Sequence, residues 1–156
     1  PKKNNFFLKG IRGTLEHRAT WLYLLLKEAE KNGIAWEVIG FPAIRACGHL
    51  HGKNLVETGG TKSLKGLKRK LFTLPAQWVF EMKVMESTNN RLSIDFGYCP
   101  LVAAWQNLGC SDEKIGRLCD IAMEGDRGIA ETFGATLEIG ETIAKGFSKC
   151  QIRFVK

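Results

Sequence analysis

The sequence predicts an α+β domain: a four-stranded, mainly antiparallel sheet of ββααββ order, packed with N-terminal helices. Three observations carry this. Apolar residues recur at helical spacing through the first half, the pattern switches to a period of two at Trp78, and two capped helical stretches separate the second strand from the third. With 156 residues the chain fits one domain, 1–156, in which 1–75 is helical and basic and 76–156 holds the sheet unit.

Thr14 is placed to cap a first helix, whose apolar positions Leu15, Ala19, Leu22, Leu25, Leu26 and Ala29 keep helical spacing to Asn32-Gly33. A second helix runs from about Ile34 to Leu50 with a kink at Gly40-Phe41-Pro42, and the glycines from Gly52 to Gly60 read as a loop. Residues 62–72 form a short basic helix ending before Pro75. Trp78, Phe80, Met82 and Val84 alternate with their neighbours as a first strand, Ser87-Thr88-Asn89-Asn90 turns, and Leu92, Ile94 and Phe96 form the partner. Cys99-Pro100 opens a short helix to Leu108, and Ser111 caps a longer one to about Phe133. Leu137 and Ile139 mark the third strand, and Cys150, Ile152 and Phe154 the fourth. Both helices between the strands are expected to cover one face of the sheet.

Composition excludes several classes of function. The longest apolar run, Trp21 to Leu26, is six residues, against the ~20 needed to cross a bilayer, so no membrane association is expected. No leader pattern follows Pro1. The five cysteines lack CxxC spacing and read as reduced thiols, which points to the cytoplasm. Net charge is +7, with 14 Lys/Arg against 5 Asp/Glu in residues 1–75 and 9 against 11 in the remainder. The basic run Lys62, Lys65, Lys68, Arg69, Lys70 has no interleaved aromatics, so no nucleic-acid partner is expected. Gly59-Gly60-Thr61-Lys62-Ser63 lacks the glycine that a phosphate loop requires before its lysine, and no nucleotide cofactor is expected. Cys47-Gly48-His49-Leu50-His51 offers two ligands on one helix face and no second pair, so no metal is expected.

Two positions carry the strongest chemical signal. Cys99, as an N-cap before Pro100, meets free backbone N–H groups and the positive end of a helix dipole, which predicts the most acidic thiol of the five. Asp126 falls about 20° from Ile115 at 100° per residue, inside the apolar stripe of Leu118, Cys119, Ala122, Ile129 and Phe133. A carboxylate there needs a partner or a task. The alternatives are a cysteine buried at a strand-to-helix corner and a structural carboxylate. Gly125 and Gly128 beside Asp126 predict a local break or a close backbone approach. His51 is a candidate general base.

Tyr98-Cys99-Pro100-Leu101, Trp105, Leu108-Gly109, Leu118-Cys119-Asp120-Ile121-Ala122, Gly125-Asp126, Ala144-Lys145-Gly146 and Cys150-Gln151-Ile152-Arg153-Phe154 together resemble the L-2-amino-thiazoline-4-carboxylic acid hydrolase family. The resemblance covers residues 76–156 well and the first half loosely. It implies a small cytoplasmic bacterial hydrolase that opens a 2-aminothiazoline ring to N-carbamoyl-L-cysteine. Gly146-x-x-x-Cys150 is also similar to the end of the 4-vinyl reductase type ligand-binding domains, whose zinc site would need a cysteine and a glutamate where this chain has Thr142 and Ile139.

Chemistry of that kind needs an attack on the amidine carbon and departure of the C–S bond. Asp126 can pair with the amidinium and take a proton from water, or Cys99 can attack directly. The resemblance implies a small carboxylate substrate, which Arg127, Lys145 or Arg153 can hold, with Cys150 near Cys99. The second reading is a non-catalytic small-molecule binding or sensing domain on the same scaffold.

Overall fold

The computed structural model describes residues 6–156; residues 1–5, where a leader was sought, lie outside the described residues. Six α-helices and a four-stranded sheet follow in the order α1 (Phe6–Lys31), α2 (Trp36–Gly59), α3 (Leu64–Leu71), α4 (Leu74–Val79), β1 (Met82–Ser87), β2 (Arg91–Phe96), α5 (Pro100–Asn107), α6 (Asp112–Thr132), β3 (Thr136–Ile139) and β4 (Cys150–Val155). The strands lie in the order β1-β2-β4-β3, and every neighbouring pair is antiparallel. The expected α+β architecture is the observed one.

Register explains which face is covered. Leu92 pairs with Phe154 and Ile94 with Ile152, so one face collects apolar residues from β2 and β4, joined by Leu137 and Ile139 of β3. That face packs on Leu64 and Leu67 of α3, Leu55 of α2, Ile129 of α6 and Phe133, the residue that caps α6. The opposite face is polar. Its Asp95 is buried between Arg153, 2.6 Å away, and Lys149, 2.8 Å away. Helix α5, expected on the sheet, packs on α1 instead: the Trp105 indole N–H donates to the Ala19 carbonyl at 3.0 Å. A second core forms there around Trp105, Trp36, Leu118 and Ile121.

The strand expected from Trp78 begins only at Met82. Pro75 sits in the first turn of α4, and the helix carries Trp78 outward and Val79 inward, opposite to the alternation. Glu81, with φ 51°, then reverses the chain into β1. Thr14 is not a cap. It lies inside α1, and its hydroxyl donates to the Ile11 carbonyl at 2.7 Å. The kink and loop expected from Gly40 to Gly60 are one continuous helix, α2, with Pro42 inside it. The glycines there serve packing. A Cβ on Gly48 would strike the Gly125 carbonyl, one on Gly128 would strike the Arg45 carbonyl, and one on Gly52 would strike Thr132. Helices α2 and α6 therefore meet backbone to backbone, and the glycines beside Asp126 mark close approach, not a break.

Gly48→Ala is expected to lower stability by at least the roughly 1–3 kcal/mol typical of overpacking. Gly13→Ala, in open space within α1, should raise it by about 0.5–1 kcal/mol. Urea unfolding of the two variants checks the pair.

Candidate functional site

The N-cap geometry at Cys99 is as expected: extended backbone at φ −130°, ψ 109°, with Pro100 opening α5. Its acidity is not. Burial pushes the thiol up to about 11, outweighing the Leu101 and Val102 backbone N–H groups that favour thiolate. A helix end lowers a thiol pKa only while the sulfur stays hydrated or paired, and here desolvation wins. Cys119 is buried on α6 and pushed up to about 12. Cys150, at the start of β4, is also raised by burial, although the Ile143 backbone N–H donates to its sulfur at 3.2 Å. The negative forms of Cys99, Cys119 and Cys150 disfavour one another, so the junction of α5, α6 and β4 holds three neutral thiols. Among the described residues no three His, Cys, Asp or Glu side chains converge as ion ligands.

Asp126 lies on the face of α6 turned away from α2, and its carboxylate is close enough to Cys99 to oppose that thiol's ionisation. Burial raises its pKa to about 6, against the opposing pull of Arg18 and Arg127. A carboxylate poised near neutrality can both pair with a cation and accept a proton.

Of the residues singled out from sequence, Cys99, Asp126 and Cys150 come together with Arg127 beside them. The rest lie elsewhere. His51 is exposed on α2. Lys145 is exposed, 3.1 Å from Asp120. Arg153 is spent on Asp95 and on the Ile94 and Ile152 carbonyls. Even Arg127 donates to Glu124 at 2.7 Å.

Sequence reasoning missed Arg18, an exposed cation of α1 facing Asp126. Its signal is present: Arg18 is a lone charge at helical spacing between Leu15 and Leu22. Also missed was the ion-pair chain joining α2 to α6, in which Arg45 reaches Glu124 and Glu131, and His49 meets Glu131. One buried hydroxyl near the thiols, that of Thr142 just before Ile143, has no hydrogen-bond partner among the described residues.

The family model described as L-2-amino-thiazoline-4-carboxylic acid hydrolase matches residues 12–154. The chain belongs to this family. The match extends through the helical first half as well as the sheet unit, further than the motifs in 76–156 alone imply. No curated protein matches the chain. Among solved structures, a trafficking protein particle complex subunit 3 from Naegleria fowleri, described as covalently bound to palmitic acid, is similar at 16% identity. The alignment covers 91% of this chain and 94% of that one with a TM-score of 0.57, a likeness of fold. No helix among the described residues is long and apolar enough to cross a membrane.

Asp126 links folding to pH. Its pKa rises from about 3.9 in an unfolded chain to about 6 in the fold, so between those values the folded state holds more protons. Stability from this group is therefore highest below about pH 4 and is lost as pH rises through about 6. Asp126→Asn should melt at or above wild type at neutral pH, with the gap closing towards pH 4 in thermal scans. In the native protein, iodoacetamide should modify exposed Cys47 first and Cys99 and Cys119 last, read by peptide mass spectrometry.

Proposed function

We propose that the protein hydrolyses a small cyclic amidine carrying a carboxylate, in the manner of 2-aminothiazoline-4-carboxylate opening to N-carbamoyl-cysteine. The observation that carries this reading is a carboxylate with a pKa of about 6 beside Cys99, in a chain matched by the hydrolase family over residues 12–154. Above pH 6 Asp126 is ionised and suits an amidinium. As water attacks C2, Asp126 takes its proton and the new C–O bond forms. The C2–S bond then breaks as the hydroxyl on C2 gives its proton to solvent and becomes the carbonyl, and the departing sulfur receives the proton from Asp126. Both nitrogens stay on C2, and one water is consumed. Arg18 forms no ion pair among the described residues and suits the substrate carboxylate, with a planar fork that can bind it through two hydrogen bonds. The high pKa of Cys99 favours water over the thiolate as nucleophile and leaves the thiol as a neutral wall beside C2.

The second reading, a binding or sensing domain without turnover, is favoured by one observation: the similar fold of the trafficking subunit described with covalent palmitic acid. Mass spectrometry after incubation with 2-aminothiazoline-4-carboxylate separates the two. N-carbamoyl-cysteine supports hydrolysis; ligand retained unchanged supports binding alone.

If the hydrolase reading holds, Asp126→Asn should lower kcat/KM by roughly 10²–10⁴-fold, the usual worth of a positioned base. Wild-type kcat/KM should fall below about pH 6 as Asp126 protonates. Arg18→Ala should raise KM more than it lowers kcat, in steady-state kinetics over a range of substrate concentrations.

A further inference from the structure

Where α2 ends and α3 begins, the chain folds around a hollow of about 570 Å³ that also meets the turn between β1 and β2. Thr61, Lys65, Arg69 and Asn89 line it, and none of its lining residues is acidic. Backbone contacts fix the walls. The Leu64 N–H donates to the Asn89 carbonyl at 3.0 Å, which ties the turn to α3. Gly66 has no Cβ to strike Thr61, so Thr61 folds against α3, where its hydroxyl accepts the Ser63 N–H at 3.1 Å. The Arg69 guanidinium reaches the Gly59 carbonyl at 3.5 Å, from one wall to the other. The hollow shares no residue with the surroundings of Asp126.

Charge here is unlike that of the rest of the surface. Arg12, Arg45, Arg91, Arg117, Arg127 and Arg153 each pair with a carboxylate. Among the described residues Lys62, Lys65, Lys68, Arg69 and Lys70 pair with none. The cause lies in the sequence, which has no acidic residue from Thr58 to Phe80. Glu57 and Glu86, the nearest acids along the chain, do not line the hollow, and Glu86 is 3.4 Å from Arg91. Lys65 and Arg69 stand one turn apart on α3, where like charges repel, and an anion between them removes that repulsion. The donors suit a phosphate. Arg69 offers a planar fork and Lys65 a point charge. The Thr61 hydroxyl keeps its own proton to donate, and the Asn89 side-chain amide makes no hydrogen bond among the described residues. A carboxylate brings two oxygens to such a set, whereas a phosphate monoester brings three and nearly two negative charges. Thr61 stands where a nucleotide loop needs glycine, and a helix leads into it where that loop needs a strand, so side chains rather than a backbone wrap hold the group.

We propose that this hollow binds a phosphate monoester through Lys65, Arg69, Thr61 and Asn89. At about 0.15 M salt the long-range pull of exposed lysines is largely screened, while charge-assisted hydrogen bonds at contact persist. Glycerol 3-phosphate titrated into the full chain at that ionic strength, followed by amide NMR, should bind saturably and shift the signals of Gly60, Thr61 and Lys65. Lys65→Gln and Arg69→Gln should each weaken its affinity roughly tenfold or more, as expected for loss of a hydrogen bond to a charged group. Lys9→Gln, an exposed cation of α1, should leave it unchanged, and Tm should stay at the wild-type value in all three. If a variant of α3 melts early, Asn89→Ala in the turn replaces it. Phosphatidylcholine vesicles with and without phosphatidic acid, which carries the same phosphate monoester, separate the two sources. Co-sedimentation that needs phosphatidic acid and Arg69 assigns a lipid headgroup; glycerol 3-phosphate binding without co-sedimentation assigns a soluble ester, and either supports the proposal. Absence of saturable shifts at those amides in the wild type overturns it. So does an affinity unchanged in folded Lys65→Gln and Arg69→Gln variants.

Discussion

Helices α2 and α6 touch through their backbones at Gly48, Gly125 and Gly128, and the rest of the molecule is arranged around that contact. Without a Cβ at these positions the two helices approach more closely than side chains permit. The approach sets the height of α6 against α2 and brings Glu124 and Glu131 within reach of Arg45 and His49. Glu124, buried and acidic, is held between Arg45 and Arg127, so the seam carries its own charge compensation. One end of α6 then lies over the sheet through Ile129 and Phe133, and the other joins the helical core through Ile115 and Leu118.

The same contact decides where Asp126 points. With Gly125 and Gly128 turned to α2, Asp126, which follows Gly125, is carried to the other side of the helix, towards α1 and α5. There the carboxylate meets Cys99 and the cations Arg18 and Arg127. The two arginines favour its ionised form and burial opposes it, and the balance falls near neutrality. Asp95 is the contrasting case. Burial would raise it, but direct contact with Lys149 and Arg153 holds it below the ordinary carboxylate range. The two carboxylates are thus set apart by what touches them. Asp95 locks the polar face of the sheet, and Asp126 is left near neutrality.

Burial also governs the sulfur chemistry. Cys99 has the helix end, the proline and the backbone N–H donors of an activated thiol, and still ionises only near 11. The positive end of α5 contributes a partial charge, whereas desolvation acts on the whole charge of the thiolate. In the hydrolysis we propose, such a thiol leaves the attack to water and serves as a surface.

Sequence by itself determined what depends on near neighbours in the chain. The Ser111 cap and the length of α6, the Cys99-Pro100 start of α5, strands β2, β3 and β4, and the place of Asp126 among apolar residues all follow from local spacing. Tertiary structure decided the rest. Helix α2 runs through Pro42, Gly48 and Gly52 because α6 rewards the absence of side chains there, and hydrophobic periodicity registers no signal from glycine. Trp78 and Val79 close a helix because Pro75 starts one, although their alternation matches a strand. Arg153 and Lys145 look as available in the sequence as Arg18, but Asp95 and Asp120 hold them. The acidity of Cys99 and the partner of Asp126 are set by burial and by residues far away in the chain, and neither quantity exists until the helices have packed.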